Sequence, residues 1–280
     1  MKNWMIAIAL SSLVGAAWAA PDQLEDTYNN LKAAEAKKDA DGVKRLAGEV
    51  SKLARAAAAT PQPSEADQVE AWKSKVEYAK GVDTYSEYSL ATMARQPGIA
   101  PEKSVELIEE LQTQNPKSKY LDGGVTIAYI TSLQGAAGAA SAKSPDRALA
   151  LANKLISVAR SRPKPEGVSD ADWDKVKNEA LGGGYYIAGA VNAQKQAWVD
   201  CDKDLKNALP LISHDPNRLG PAYFYLGLCD YQFGRITQDR SKMQDAIKYS
   251  DLSAAIPGPM AAQAANNSKS IRTELAGPRR

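Results

Sequence analysis

One histidine, two cysteines and two phenylalanines in 280 residues set the first limits on what this chain does. A structural zinc site wants four nitrogen or sulfur ligands, and His214, Cys201 and Cys229 cannot supply them, so no metal is expected. His214 is also the one histidine available as a general base. It precedes Asp215-Pro216 in a helix-ending loop, with no nucleophile motif nearby, and neighbours in a turn rarely face each other as a base and its orienting carboxylate must. An enzyme is therefore not expected, nor a cofactor. Long apolar runs are missing as well. After the N-terminal segment, nothing approaches the roughly 20 apolar residues that a bilayer span needs. The 35 basic and 33 acidic residues are interspersed, without the Lys/Arg cluster that a phosphate backbone requires, so nucleic-acid binding is disfavoured. No stretch alternates apolar and polar residues for long enough to make a strand.

What the chain does have begins with an export signal. Lys2 gives a positive start, Met5 to Val14 are a short apolar run, and Ala17-Trp18-Ala19 fits the small-x-small cleavage rule. Residues 1–19 read as a signal peptide cleaved after Ala19. No cysteine follows to carry a lipid, and no stable membrane insertion is expected after cleavage. Loss of Lys2 lowers the net charge from +2 to +1. The mature chain reads as periplasmic or secreted.

The remainder reads as helix throughout. Val43, Leu46, Val50, Leu53 and Ala57 keep helical phase after the Asp39-Ala40-Asp41-Gly42 turn, which makes residues 20–59 a hairpin. Thr60-Pro61-Gln62-Pro63 reads as a short stiff linker. Ser64-x-x-Asp67 then opens a helix bearing Val69, Trp72 and Val76. Pro101 starts the next helix and Asn115-Pro116 ends it. A long helix follows from about Lys119 through Gly135 and Gly138. Ser144-Pro145 opens another, with Ala148, Leu151, Leu155 and Val158 as its inner face, up to the Arg162-Pro163-Lys164-Pro165 break. Ser169-x-x-Asp172 caps the helix that carries Trp173, Val176, Ala180, Ile187 and Val191.

Two stretches then repeat. Tyr185, Ala188, Gly189, Cys201, Leu205 and Ala208 fall at the spacings of paired helices that approach through small residues. Pro221 to Pro259 offers Tyr223, Leu226, Gly227 and Asp230/Tyr231, a stop at Gly234, a polar loop, and then Met243, Ala246, Ile247 and Ser250. Tyr185 and Tyr223 stand 38 residues apart (223 − 185 = 38). These residues resemble the tetratricopeptide repeat (TPR). The first unit matches without a gap, whereas the second departs by about seven residues in its turn. The resemblance covers roughly residues 70–260 and is specific in these two units. It implies an all-α fold of about eleven helices, in antiparallel pairs stacked as a right-handed TPR-like solenoid over residues 64–280. Pro259 to Leu275 is its C-terminal capping helix.

Several other patterns have plainer readings. Asp200, Asp202 and Asp204 alternate as in a calcium loop, but no glycine or final glutamate accompanies them, and a charged helix face fits better. No strand precedes Gly182-Gly183-Gly184, so close helix contact fits better than a phosphate loop. Glu109 and Glu110 are adjacent on a helix and point apart.

The resemblance implies interaction rather than chemistry. Carried over from the repeat pattern, the concave face receives Tyr186 and Gln194 from one unit and Phe224, Tyr231 and Gln232 from the next. Aromatic rings with amides suit an extended peptide or a helix from another exported or envelope protein. A small-ligand or glycan binder is the alternative reading, and an exported hydrolase the third. Cys201 and Cys229 lie on helices that neighbour each other in such stacking. They are read either as a disulfide or as two buried free thiols acting as small apolar residues.

Overall fold

The computed structural model describes residues 21–277, so the signal segment and the Ala19 cleavage site lie outside the described residues. All regular structure among these residues is helical. The order is α1 (Pro21–Ala36), α2 (Ala40–Ala58), α3 (Ala66–Ala94), α4 (Pro101–Gln114), α5 (Gly123–Ala140), α6 (Pro145–Ser161), α7 (Asp170–Gln194), α8 (Trp198–Ile212), α9 (Pro216–Thr237), α10 (Arg240–Ala254) and α11 (Ala261–Ala276). None of these helices is long and apolar enough to cross a membrane.

The chain divides into two compact units. The first runs through Met93 and takes in Glu110–Ser118, while the second comprises Ala94–Glu109 and everything from Lys119 onward. In the first unit, Asp39 caps α2 by accepting from the Gly42 N–H at 3.0 Å, and Val43, Leu46, Val50 and Ala54 bury one helical stripe. Polar bonds then tie α3 to that hairpin. Ser51 donates to Asp83 at 2.6 Å, and the Tyr85 hydroxyl donates to Glu35 at 2.8 Å. Composition suggests a boundary at residues 60–63. In the structure α1, α2 and α3 up to Met93 fall in one compact unit, and the Thr60 carbonyl accepts from the Trp72 indole at 2.9 Å. A proline-rich sequence fixes local stiffness, but side chains elsewhere decide whether it separates two bodies.

In the second unit each helix from α5 onward packs on the next. In addition α5 touches α7, α7 touches α9 and α9 touches α11. That pattern is a succession of helix pairs in which each helix also meets the equivalent helix of the neighbouring pair. The core at its centre joins Ile156, Tyr185, Cys201, Leu205, Ala208, Ile212, Leu226 and Cys229. Ser169 opens α7 as its sequence implies, accepting from the Asp172 N–H at 3.1 Å.

Local boundaries differ from the sequence reading in four places. Helix α3 begins at Ala66, two residues after Ser64. Helix α5 begins at Gly123 rather than near Lys119, because Asp122 is the residue that accepts from the Val125 N–H, at 2.8 Å. On α6 the buried stripe is Ala148, Ala152, Leu155, Ile156 and Ala159, with Leu151 and Val158 only partly covered. Alanines there let the helix roll toward its neighbours, so the larger side chains end up at the edge of the contact.

The fourth difference concerns α9. It starts at Pro216, runs through Pro221 in its second turn, and passes Gly234 without stopping. Only Gln238 and Asp239 connect it to α10. Gln238 takes the left-handed conformation at φ 58°, and Asp239 caps α10 by accepting from the Ser241 N–H at 2.9 Å. Gly234 serves close approach instead: a Cβ there would lie 2.9 Å from the Asp239 carbonyl oxygen.

Candidate functional site

The region around which the second unit is organised is the double pair α7–α8 and α9–α10. Its glycines mark where backbones meet. The run Gly182-Gly183-Gly184 lies inside α7, and each glycine faces a different helix: Gly182 meets Ile212 of α8, Gly183 meets Gln134 of α5, and Gly184 meets Ile156 of α6. Three consecutive positions point about 100° apart around a helix, so three small residues let one helix touch three neighbours. A Cβ on Gly189 would sit 2.5 Å from Leu205 of α8, and one on Gly227 would sit 2.7 Å from Ser250 of α10.

The 38-residue offset extends to polar pairs. Asn192 on α7 donates to Asp204 on α8 at 3.0 Å, and Lys242 on α10 donates to Asp230 on α9 at 2.9 Å. Asn192 and Asp230 are one offset apart (230 − 192 = 38), and so are Asp204 and Lys242 (242 − 204 = 38). Each helix pair thus carries one cross-helix polar tie at the same place, built from different residues. Reading single residues misses it, because an amide–carboxylate pair and a carboxylate–ammonium pair look unrelated. The signal was the 12-residue spacing repeated in both units.

Cys201 of α8 and Cys229 of α9 are joined as a disulfide with their Cα atoms 6.4 Å apart, and both side chains are fully buried. This bridge crosses from one helix pair to the next.

The five residues assigned to the interaction face fall in three kinds of place. Tyr186 is half-buried on the side of α7 toward α9. Burial first, and the neighbouring Tyr225 phenol next, raise its hydroxyl pKa above the ordinary range. Gln194 is exposed and Gln232 partly exposed at equivalent positions, again 38 residues apart (232 − 194 = 38). Phe224 is only 8% exposed, with its ring 5.6 Å from that of Tyr225. Tyr231 is engaged by α11: its hydroxyl donates to Glu274 at 2.6 Å, and Arg235 lies 5.5 Å over its ring. Of these five residues, Gln194 is exposed, Tyr186, Gln232 and Tyr231 are partly covered, and Phe224 is buried; Tyr225 beside it is partly covered. A helical wheel cannot separate adjacent aromatics such as Phe224 and Tyr225 when both lie at the margin of the buried stripe.

The remaining chemistry-bearing residues are scattered. His214 is largely exposed, 3.8 Å from a Glu179 oxygen, while Glu179 accepts from Arg218 at 2.6 Å. Asp202 pairs with Lys206 at 2.6 Å and with Lys242 at 3.5 Å, and Asp204 is held by Asn192. Among the described residues, no group of three His, Cys, Asp or Glu side chains is placed to hold a metal ion. A cleft of about 540 Å³ opens between the start of α5 and the 162–167 loop, lined by Lys119, Asp122, Thr126, Arg162, Lys164 and Glu166 among others. Two of these are already engaged: Asp122 lies 3.6 Å from Arg95, and Lys164 pairs with Asp170 at 2.6 Å. No family model, curated protein or solved structure matches this chain.

Proposed function

We propose that this chain is an exported, TPR-like interaction scaffold that carries out no chemistry of its own. It receives an extended peptide or a helix of another envelope protein along the concave face formed by α7 and α9. The observation that carries the reading is the direct packing of α7 on α9, with Gln194 and Gln232 left open at equivalent positions and Tyr186 and Tyr225 between the two helices. Amides spaced by one repeat suit the periodic backbone of a bound segment, and tyrosines add contact area at low entropic cost. The buried Cys201–Cys229 bridge supports an exported location, because disulfides persist in oxidising compartments.

Affinity capture from an envelope extract, read by mass spectrometry, tests this. The mature chain is compared with a Gln194→Arg/Gln232→Arg variant, after circular dichroism has shown that both proteins are equally helical. A partner retained by the first and reduced at least tenfold in the second is expected. Equal recovery by both would sink the α7–α9 assignment.

The cleft beside α5 favours a second reading, a small-ligand site. Its volume lies within the range of ligand pockets, and Lys119 and Arg162 line it. A rise in melting temperature with a small dicarboxylate, absent in Arg162→Ala, would point that way.

A further inference from the structure

The disulfide has a buried charge cluster as its immediate neighbour. Asp202 follows Cys201 on α8, and Asp230 follows Cys229 on α9, so the bridge brings both carboxylates to the same junction. Asp230 is fully buried. Its Oδ1 accepts from Lys242 of α10 at 2.9 Å, and its Oδ2 is buried without a hydrogen-bond partner. From α8, Asp202 and Lys206 face the cluster. From α10 come Lys242, which also lies 3.5 Å from Asp202, and the phenol of Tyr249. A buried carboxylate oxygen with no donor is costly, and a proton on it would turn the orphaned acceptor into a donor toward Asp202. The bridge keeps α8 and α9 at fixed separation, so the two carboxylates cannot relieve their repulsion by moving apart.

We propose that the Cys201–Cys229 bridge and the Asp202–Asp230–Lys242 cluster work as one proton- and redox-linked clamp across the junction of the two helix pairs. With the bridge closed and the pH below about 6, Asp230 holds a proton shared with Asp202 and the junction is tight. Reduction by a dithiol breaks the S–S bond, gives two protein thiols and oxidises the dithiol to its disulfide. The helices then part, the carboxylates separate, and Asp230 releases its proton to solvent. Linkage makes the relation reciprocal: protonation of Asp230 strengthens the bridged junction.

The sign follows from the groups present. Burial first, with the Asp202 carboxylate adding, raises the Asp230 pKa to about 6, above its unfolded value of 3.8. Its contribution to stability is therefore full below 3.8 and lost as pH rises through about 6. Burial pulls the Lys242 pKa down, but its bond to Asp230 and the nearby carboxylates outweigh this and raise it above an ordinary 10.5, so its contribution is constant over this window. At Asp202 burial pushes the pKa up, but the bonds to Lys206 and Asp230 together outweigh it and lower the pKa, so its contribution is lost only below 3.8. Asp204, raised by burial, slopes the same way as Asp230 and is controlled by Asp204→Asn.

The test is a carboxyl-carbon NMR titration of the full chain labelled at aspartate, with Asp230→Asn assigning the resonance. It is run on the bridged protein, after dithiothreitol, and on Cys201→Ala/Cys229→Ala. The expected result is an Asp230 midpoint near 6 with the bridge closed and a clear fall toward the ordinary carboxylate range in both unbridged forms. Melting temperature should decline from pH 5 to 7.5 more steeply in the bridged protein than in Asp230→Asn. An Asp230 midpoint in the ordinary range with the bridge closed would overturn the proposal. An elevated midpoint unchanged by opening the bridge would overturn the redox link.

Discussion

Replacing Cys201 and Cys229 together by alanine is expected to destabilise the second unit by about 3–4 kcal/mol, the chain-entropy value for a bridge of this span. The two residues are 28 apart in sequence, so the closed loop spans most of α8, the connection and over half of α9. Both side chains are fully buried, and alanine removes only a sulfur from each site, so the added cavity cost is small beside the lost cross-link. Urea unfolding of the bridged and double-alanine proteins reads the effect. A lower midpoint with a shallower or steeper slope would show the unfolded state changing with the bridge, since the slope follows exposed surface. A loss below about 1 kcal/mol would mean that packing alone holds the junction, in conflict with the loop-closure estimate.

The second large effect belongs to the glycines. Gly189→Val is expected to destabilise by about 3 kcal/mol or more, because its Cβ alone would lie 2.5 Å from Leu205 Cγ and 3.1 Å from the Leu205 backbone nitrogen. The side chain can adjust, but the backbone contact forces α7 and α8 apart. Gly138 on α5 supplies the contrast, since nothing lies within 4 Å of a Cβ built there. Gly138→Ala is expected to stabilise by about 0.5–1 kcal/mol through the entropy of the unfolded chain and better helix propensity. Thermal unfolding followed by far-ultraviolet circular dichroism separates the two. Opposite signs are expected, and equal destabilisation by both would show that contact distance is not what the glycines provide.

Much of the helical architecture was legible in the residues because helix signals here are local. Ser169-x-x-Asp172, Asp39 before Gly42 and the 38-residue spacing of Tyr185 and Tyr223 each act within a turn or a repeat, and the structure places helix starts or equivalent positions there. The misses are non-local. Gly234 reads as a stop by residue type, yet a helix continues through a glycine when the space beside it is occupied by a neighbouring backbone. The 60–63 segment reads as a linker by composition, but bonds from α1 and α2 to Asp83, Tyr85 and Ser89 determine the company that α3 keeps. At the candidate site, the solvent exposure of Gln194 and the partial exposure of Gln232 were legible from their repeat position. The depth of Phe224 and the contact of Tyr231 with α11 were not, since both depend on the whole packed unit.

The measurement that tests the scaffold most directly is site-specific photo-crosslinking in cells. A photoreactive phenylalanine analogue is placed at Gln194, at Gln232 and at Gln244, the last exposed on α10, the second helix of its pair. The account predicts one shared partner band from Gln194 and Gln232 and none from Gln244. Crosslinks from Gln244 alone, or the same band from all three positions, would contradict it.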